Sequence, residues 1–572
     1  MRVADFVAEY LEQRGVSHVY EVIGGMITRL VDAIHRRGRI ELISVHHEQA
    51  AAFAADAMGR LTGVPGVAMG TSGPGATNLL TGIGSCYFDS VPAVFITGQV
   101  NRSEQKGERP TRQLGFQETD IIAMVRPITK AAWQISDPES MPCMLQQAFE
   151  VATSGRPGPV LLDLPMDVQG AEISATPLAA PAAAAAWPAA DRSLCDGVLH
   201  QLASAERPLI LAGGGVRAAM ATPLLRRFVD LAGVPLVNSL LAVDALPYRH
   251  PLRAGMIGTY GNRWTNLAIG RADLLLVLGS RLDIRQTGAQ VAAFSAGRII
   301  CHVDVDEGEI NNRLQGCQSI VSHLEPFLTG LAEAAATRRR PDRAAWIAEI
   351  RDLRAQWPDT AELTVPGINP NAFMHDLARA SGQAGVFVAD VGNHQMWAAQ
   401  SLELEDHQKF ITSGGMGAMG FGLPAAIGAA FATHQPVVLI AGDGGMQVNI
   451  QELQTVTHHR LPIKMVILDN ESLGMVRQFQ QSYFQERYVG TAWGYSAPDF
   501  AAVARAYKIE SLTVSEPDSL RAAFERTWAM PGDPFLLHVK VDVSANAYPK
   551  IAFGRPMTEM EPFAKPVEME GT

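Results

Sequence analysis

The stretch VVLIAGDGG (437–445) is an apolar run that ends in a Gly-Asp-Gly turn, and a helical segment then leads to IKMVILDN (463–470). Neither apolar run alternates with polar residues, which is typical of parallel strands covered on both faces by helices. Parallel strands that are neighbours end at the same edge of their sheet. We therefore expect Asp443 and Asn470 to lie together at the carboxyl edge of an α/β sheet.

Apolar runs with helical segments between them recur along the rest of the chain. Strands are predicted at 19–23, 41–45, 66–70, 92–97, 159–163, 208–212, 235–238, 273–278, 299–303, 386–389, 437–440, 463–468 and 535–541. This alternation predicts an α/β protein with three open, mostly parallel sheets. The predicted domains are 1–170, 187–340 and 366–545, with a tail at 546–572. The stretch 171–190, poor in charge and rich in Ala and Pro, and the segment 335–368 are predicted connectors.

Composition excludes several classes of protein. With 47% hydrophobic and 18% charged residues among 572, the chain can form large buried cores and is not wholly disordered. Its 47 basic and 58 acidic residues give a net charge of −11, which argues against non-specific nucleic-acid binding. No apolar run approaches the roughly 20 residues of a spanning helix. Five cysteines without a CxxC pair indicate neither a disulfide framework nor a zinc site, so we expect a soluble cytoplasmic protein.

The Gly-Asp-Gly turn predicts a site for a diphosphate and Mg²⁺. Glycines at this turn (Gly442, Gly444 and Gly445) allow phosphate oxygens to approach backbone N–H groups. Oxygen ligands from Asp443 and Asn470 suit Mg²⁺. Taken alone, Gly-Asp-Gly is more simply explained as a turn, and it is the strand context and the spacing that favour a metal site.

With these motifs the chain resembles the thiamine-diphosphate-dependent enzymes, whose signature is GDG followed at a set distance by NN. It departs at the first Asn of that pair, which is Asp469 here. The resemblance implies thiamine diphosphate and Mg²⁺ as cofactors. It also implies Asp443, Asn470 and the backbone carbonyl of Ser472 as the metal ligands.

Glu48 opens a helix after the strand of ELISVHHEQAAAFAADAMGR (41–60). A carboxylate among alanines and Phe53 is expected to be partly desolvated, which raises its pKa. A glutamate that complements the helix dipole is the alternative explanation. The resemblance favours catalysis, because these enzymes place such a glutamate against N1′ of the cofactor's pyrimidine to activate C2 of the thiazolium.

The segment GGMGAMGFGLPAAIGAA (414–430) resembles the part of these enzymes that bends the cofactor. The resemblance implies that Met419 is the wedge beneath it and that the Gly417 carbonyl accepts a hydrogen bond from the 4′-amino group. A methionine in an apolar run is otherwise ordinary core filler. Further cofactor contacts are implied for Asn393, His394 and Met475.

Other segments are most similar to the acetohydroxyacid (acetolactate) synthase branch. They are GTSGPGATNLLTGI (70–83), DSVPAVFITGQV (89–100), GFQETDIIAMVRPITK (115–130), LGMVRQFQ (473–480) and SAPDFAAVARAY (496–507). By this resemblance Phe116 and Gln117 face the reacting carbon. Lys130 is a candidate site cation, with a helix-end lysine as the alternative.

In the middle domain, LILAGGGVR (209–217), VLGSRLDIRQTG (277–288) and HVDVDEGEI (302–310) match the segments that hold FAD in the synthases. The resemblance implies a Rossmann-like domain that binds FAD through Gly213, Gly214 and Asp304. Purely structural glycines are the alternative. Arg285 matches the synthase arginine that meets the acceptor's carboxylate, a role that suits a guanidinium fork.

Departures from the synthases cluster around the acceptor. Thr259 and Tyr260 replace Met and His, Ile284 replaces an acid, and Phe479 replaces Trp. The motifs on the cofactor side and on the pyruvate side are intact. We therefore expect pyruvate decarboxylation followed by carboligation to a 2-oxo acid, as in branched-chain amino acid biosynthesis. A ketone acceptor, such as a nucleotide-linked deoxy-ketosugar, is the alternative.

A plain decarboxylase or an oxidase is less favoured, since the match at Phe116, Gln117 and Arg285 indicates ligation. A catalytically silent relative is less favoured because Glu48, Asp443 and Asn470 are present.

The resemblance also implies an assembly. In these enzymes the activating glutamate and the metal ligands of one site come from different subunits. The expected form is a homodimer or homotetramer with a possible regulatory subunit and no nucleic-acid or membrane partner.

Overall fold

The computed structural model describes residues 1–174 and 187–567. Within them the apolar runs form three six-stranded parallel sheets with helices on their faces, which confirms the predicted fold class. The predicted connector at 171–190 and the predicted tail at 546–572 lie partly outside the described residues. No helix in the described ranges is both long enough and apolar enough to span a bilayer.

The first sheet has the order β2-β1-β3-β4-β6-β5. Its strands are β1 (His18–Val22), β2 (Glu41–Ser44), β3 (Gly66–Gly70), β4 (Ala93–Gln99), β5 (Ala131–Gln134) and β6 (Pro159–Pro165). The helices of this part are α1 (Val3–Gln13), α2 (Thr28–Arg37), α3 (Glu48–Thr62), α4 (Pro74–Asn78), α5 (Leu80–Asp89), α6 (Ile121–Val125), α7 (Met141–Thr153) and α8 (Met166–Gly170).

The second sheet has the order β12-β11-β10-β7-β8-β9, which is the doubly wound order of dinucleotide-binding folds. Its strands are β7 (Pro208–Ala212), β8 (Leu236–Asn238), β9 (Arg253–Met256), β10 (Leu274–Leu278), β11 (Ile299–Asp304) and β12 (Gln318–Val321). The helices are α9 (Arg192–Ser204), α10 (Gly215–Ala218), α11 (Thr222–Ala232), α12 (Arg263–Arg271), α13 (Ile284–Thr287), α14 (Val291–Ser295), α15 (Leu324–Ala336) and α16 (Ala344–Gln356).

The third sheet has the order β14-β13-β15-β16-β18-β17. Its strands are β13 (Val386–Ala389), β14 (Lys409–Thr412), β15 (Val437–Gly442), β16 (Ile463–Asp469), β17 (Glu510–Val514) and β18 (Phe535–Lys540). The helices are α17 (Pro370–Ala380), α18 (Asn393–Ser401), α19 (Gly422–Thr433), α20 (Asp443–Val448), α21 (Leu453–His459), α22 (Gly474–Tyr483), α23 (Phe500–Ala506) and α24 (Leu520–Thr527). A short antiparallel pair, β19 (Lys550–Ile551) and β20 (Met560–Glu561), follows.

The chain divides into two compact units. The first unit comprises Met1–Ala186, Ser413–Gln435 and Val448–Ile463, and the second comprises Trp187–Thr412, Pro436–Gln447 and Lys464–Thr572. The first unit therefore holds the first sheet together with α19 and α21. In it α19 packs so closely on α3 that a Cβ atom at Gly428 would lie 2.2 Å from the carbonyl oxygen of Ala54.

Candidate active site

The third sheet presents the predicted metal ligands at the carboxyl ends of two neighbouring strands. β15 ends at Gly442 and Asp443 opens α20, while β16 ends at Asp469, directly before Asn470. Because β15 and β16 are neighbours in the sheet, Asp443 and Asn470 share one edge. Both residues are buried, with 2% and 6% of their surface exposed.

Four buried polar atoms at this edge have no hydrogen-bond partner in the part of the chain that the structure describes. They are Oδ1 of Asn393, Nε2 of His394, Oδ2 of Asp443 and Oγ of Ser472. A buried polar group left without a partner costs about 1–3 kcal/mol. All four belong to residues predicted to bind the diphosphate or the metal, and the set fits a polar ligand such as a metal-bound diphosphate.

Glycines leave the space around these side chains. A Cβ atom at Gly442 would lie 2.8 Å from Nδ1 of His394. A Cβ atom at Gly474 would lie 2.7 Å from Nδ2 of Asn393 and 2.8 Å from Nδ2 of Asn470. Asn393 and Asn470 therefore converge on one backbone position that only glycine fits.

The electrostatics of this edge favour a cation. Burial and, second to it, the negative charge of Asp469 together raise the pKa of Asp443 to about 7. Burial lowers the pKa of His394 to about 3, so its ring is neutral and supplies no positive charge.

Within 1–174 and 187–567 no group of three or more His, Cys, Asp and Glu side chains is arranged to hold a metal. A shell of one carboxylate, one amide oxygen and one carbonyl needs oxygens from the diphosphate to be complete.

Asp469 is visible in the sequence as a departure from the NN signature, but its contacts could not be read from the sequence. Its Oδ2 accepts hydrogen bonds from Nε2 of His538 at 2.8 Å and from Nζ of Lys540 at 2.7 Å. Its Oδ1 accepts from the backbone N–H of Glu471 at 3.0 Å, in the turn that carries Asn470. Only the strand order could have revealed these contacts, since β16 and β18 pair with Asp469 opposite Lys540.

The first unit positions Glu48 at the opening of α3. The side chain of His47 caps this helix by accepting the backbone N–H of Gln49 at 3.1 Å. Glu48 is buried, and its Oε2 accepts a hydrogen bond from Nδ2 of Asn78 at 2.9 Å. A Cβ atom at Gly75 would lie 3.3 Å from Oε1. The segment 70–83 therefore fixes one carboxylate oxygen and keeps bulk away from the other.

Residues 413–421, which we call the wedge loop, also belong to the first unit. Gly417 has φ +63° and Gly420 has φ +86°, backbone conformations that favour glycine. Nδ2 of Asn449 donates to the carbonyl oxygen of Gly420 at 2.8 Å. Met419 keeps 38% of its surface exposed, so it is not the core filler that its apolar neighbours would suggest.

Phe116 and Gln117 lie on the long connection between β4 and α6. Gln117 has φ +65° and packs against the turn of the segment 70–83. A Cβ atom at Gly73 in this turn would lie 3.0 Å from the Cβ of Gln117. Phe116 has 79% of its surface exposed. An exposed phenylalanine of this kind suits a contact with a substrate or a neighbouring subunit.

Lys130 has contacts that account for it without catalysis. Its Nζ donates to the carbonyl oxygen of Ser154 at 2.6 Å and to that of Val151, at the C-terminal end of α7. Burial lowers its pKa to about 8. The structure thus places Lys130 as the helix-end lysine of the alternative explanation, although it is half-buried rather than solvated.

The middle sheet has its topological switch point between β7 and β10, where ligands bind in doubly wound folds. Gly213 follows β7, and a Cβ atom there would lie 2.1 Å from the carbonyl oxygen of Gly279, which follows β10. At Gly214 a Cβ atom would lie 3.2 Å from the side chain of Leu241. Asp304 ends β11 and is buried. Close packing explains Gly213, and Gly214 and Asp304 lie at the carboxyl edge of this sheet, where dinucleotides bind in folds of this kind.

Two of the departures predicted to line the acceptor, Thr259 and Tyr260, lie beside Arg285. The backbone N–H of Thr259 donates to the carbonyl oxygen of Arg285 at 2.6 Å. Burial raises the pKa of Tyr260 to about 12, against the opposing charge of Arg285. Arg285 is exposed, and its guanidinium makes no hydrogen bond or ion pair to a described residue. Phe479 lies against Tyr483, with ring centroids 4.8 Å apart and ring planes inclined by 51°.

Comparison with known families matches three parts of the chain in order. Residues 1–124 match the N-terminal TPP binding domain of the thiamine pyrophosphate enzymes. Residues 195–331 match the central domain of these enzymes, and residues 390–539 match their C-terminal TPP binding domain.

Characterised proteins align with nearly the whole chain. The acetolactate synthase isozyme 1 large subunit of Escherichia coli strain K12 is 36% identical over 97% of this chain and 97% of its own length. The probable acetolactate synthase large subunit of Methanocaldococcus jannaschii is 34% identical over 100% of this chain and 96% of its own. The chloroplastic acetolactate synthase 2 of Nicotiana tabacum is 35% identical over 96% of this chain and 84% of its own.

Proposed function

The chain belongs to the family of thiamine pyrophosphate enzymes, and we propose that it decarboxylates pyruvate and joins the remaining two-carbon unit to a 2-oxo acid. The similarity to acetolactate synthases along nearly the whole chain supports this reaction. The structural observation that carries it is the set of four buried, unpartnered polar atoms of Asn393, His394, Asp443 and Ser472. This set has the chemistry that a metal-bound diphosphate requires.

Thiamine diphosphate, when bound, supplies a nucleophilic carbon that attacks the pyruvate ketone and stores the electrons released as CO₂ leaves. Asp443, Asn470 and the Ser472 carbonyl would hold Mg²⁺, which neutralises the diphosphate in a chain of net charge −11. Asn393 and His394 would contact the diphosphate.

Glu48 would hold a proton at N1′ of the pyrimidine. Its Oε2 is fixed by Asn78, so Oε1 is the oxygen free to share that proton. The Gly417 carbonyl would orient the 4′-amino group, and Met419 would lie against the ring. Phe116 and Gln117 would exclude water from the reacting carbon, and Arg285 would bind the carboxylate of the acceptor.

We extend the proposal to FAD and to assembly. FAD is typical of this family, and the switch point beside Gly213, Gly214 and Asp304 is where this chain would hold it. Small molecules are the substrates. A homodimer is the proposed minimal active form, since the family takes Glu48 and the metal ligands of one site from different subunits. The relatives named as large subunits support a regulatory small subunit.

A product assay tests the acceptor. We expect 2-acetolactate from pyruvate alone, and its homologue when 2-oxobutyrate is added. A second candidate, transfer to a sugar ketone, is favoured by Thr259 and Tyr260 beside Arg285. The assay is repeated with a nucleotide-linked deoxy-ketosugar. If this sugar is consumed faster than two pyruvate molecules are joined, the second candidate is established and the first is wrong.

The variant Arg285→Gln sharpens the assay. Loss of the guanidinium should raise the KM of a 2-oxo acid acceptor at least tenfold while single-turnover release of CO₂ from pyruvate stays within a factor of two. Arg281→Gln is a matched control, because Arg281 lies four residues away and is already paired with Asp283. Equal effects of the two substitutions would contradict the proposed role of Arg285.

A further inference from the structure

The first residues of the wedge loop are held by a buried carboxylate. Oδ2 of Asp89 accepts the backbone N–H of Gly414 at 2.9 Å, and Oδ1 accepts that of Gly415 at 2.7 Å. A Cβ atom at Gly415 would lie 2.8 Å from the Cβ of Phe88 and 3.0 Å from Oδ1 of Asp89. Asp89, at the end of α5, therefore fixes two successive amides, and the close approach at Gly415 requires glycine.

Arg60 on α3 connects this carboxylate with the other end of the wedge loop. Its Nη2 donates to Oδ2 of Asp89 at 2.7 Å, and its guanidinium lies 5.5 Å from the ring centroid of Phe421. Asp56 pairs with the same guanidinium through Nε and Nη2, the latter at 3.1 Å. The Arg60 side chain is 5% exposed and those of Asp56 and Asp89 are fully buried.

The part of the loop between these two anchors is the part that the proposed function uses. Oγ of Ser413 accepts the backbone N–H of Ala418 at 3.2 Å, which closes the loop around Gly417. Met419 stays partly exposed, two residues before Phe421. Buried ion pairs add little net stability, but they fix geometry when their hydrogen bonds are satisfied.

We propose that Asp89, oriented by Arg60, is a positioning residue that places the Gly417 carbonyl and Met419 against the aminopyrimidine of the cofactor. This role rests on the proposed function. It concerns the pyrimidine end of the cofactor, because Asp89 and Arg60 hold the wedge loop, whereas the diphosphate is assigned to residues of the second unit.

The test compares two properties of the full-length protein loaded with thiamine diphosphate and Mg²⁺. The first is the Kd of the cofactor, measured by quenching of tryptophan fluorescence. The second is the rate of hydrogen–deuterium exchange at C2 of the bound cofactor, measured by NMR after acid quench. In Asp89→Asn one loop amide loses a charged acceptor, so we expect exchange to slow at least tenfold while Kd changes less than threefold.

Two further variants keep the test decisive. Phe421→Leu removes the ring under the guanidinium without changing charge, and it should slow exchange in the same direction but less, even if Asp89→Asn fails to fold. Glu21→Gln is the control. Glu21 is a buried carboxylate on β1, and its Oε1 accepts a hydrogen bond from Oγ of Ser44 at 2.5 Å. Among the described residues it makes no hydrogen bond or ion pair to the wedge loop. Its exchange rate should match the wild type.

Three results would overturn the positioning role. If folded Asp89→Asn exchanges at the wild-type rate, the positioning role is wrong while the proposed function stands. The same holds if exchange in Asp89→Asn falls only as much as cofactor binding weakens. A wild-type protein that neither binds thiamine diphosphate nor exchanges C2 overturns the proposed function and the positioning role with it.

Discussion

The first and third sheets of this chain share one topology, but the pKa of a buried carboxylate is raised in the first and lowered in the third. Counted along the chain within each sheet, the strands take the same order, 2-1-3-4-6-5, in both. Each sheet buries one carboxylate where its fourth and sixth strands pair, Asp163 on β6 in the first and Asp469 on β16 in the third. The two carboxylates therefore lie at the same strand pair of the topology, although on opposite strands of that pair.

Their partners differ. Asp163 is surrounded by neutral donors, namely the amides of Gln134 and Gln99 and the hydroxyl of Thr97, and burial outweighs them and raises its pKa to about 6. Burial also acts to raise the pKa of Asp469, but hydrogen bonds from His538 and Lys540 outweigh it and lower the pKa to about 2. The comparison teaches that the topology fixes where polar groups gather, whereas the neighbouring side chains decide whether they are charged.

The largest expected effect concerns Glu48, the carboxylate of the first unit that is predicted to activate the cofactor. In Glu48→Gln the amide cannot hold a proton at N1′, so kcat for pyruvate consumption should fall more than a hundredfold, while the Kd of thiamine diphosphate stays within about threefold. Steady-state kinetics and calorimetric titration measure the two quantities.

Glu325→Gln is the matched control for this prediction. Glu325 also lies in the first turn of a helix, α15, but it is exposed and has no predicted contact with cofactor. If Glu325→Gln and Glu48→Gln were equally harmful or equally harmless, complementing a helix dipole would be the whole role of Glu48.

Asp443→Asn should show the reverse pattern. Loss of the only carboxylate in the predicted metal shell should weaken Mg²⁺-dependent binding of thiamine diphosphate on the order of a hundredfold, as removal of a charged ligand from a buried site does. Raising cofactor and Mg²⁺ should restore much of kcat. Asp376→Asn, at an exposed carboxylate of the second unit, is the control. Unchanged cofactor affinity in Asp443→Asn would contradict the assigned metal site.

Much of the fold could be predicted from the sequence because central strands carry their own signal. Runs such as that of β15 and β10 are apolar throughout and buried along their whole length. In the three parallel sheets five strands escaped prediction, and all five are edge strands. They are β5, β9, β12, β14 and β17. An edge strand such as β12 is mostly exposed, so its sequence, QSIV, has no apolar pattern to detect.

The site divides along a similar boundary. Asp443 and Asn470 could be placed together because each follows a recognisable strand. The partners of Asp469 and the Arg60–Asp89 pair could not be found, since they depend on contacts between residues far apart in sequence. Lys130 illustrates the converse, because a motif position says nothing about which carbonyls an ammonium group meets.

Asp469→Asn tests the charged side of the comparison. The substitution removes a buried negative charge from beside His538 and Lys540, and breaking such a pair should lower the free energy of unfolding by about 3 kcal/mol. The estimate is at the lower end for buried pairs because the Lys540 side chain is 37% exposed. Urea denaturation measures it. Lys540→Gln should cost less than Asp469→Asn, and the opposite ranking would show that the lysine, not the carboxylate, organises this cluster.

Asp163→Asn tests the neutral side, with the smallest effect. The pKa of Asp163 is raised from its usual 3.8 to about 6, so the unfolded chain releases this proton at lower pH than the folded one. The stabilisation is complete below pH 3.8 and is lost as the pH rises through 6, by about 2 kcal/mol between pH 4 and pH 6. An asparagine keeps a neutral acceptor for Gln99 and Gln134 and can donate to Thr97. The free energy of unfolding of the variant should therefore not fall over this pH range. Urea denaturation across pH 4–7 measures it, and the variant should gain stability relative to the wild type as the pH rises. A difference that stays flat with pH would mean that Asp163 is ionised throughout, and the contrast between the two sheets would then rest on the Asp469 cluster alone.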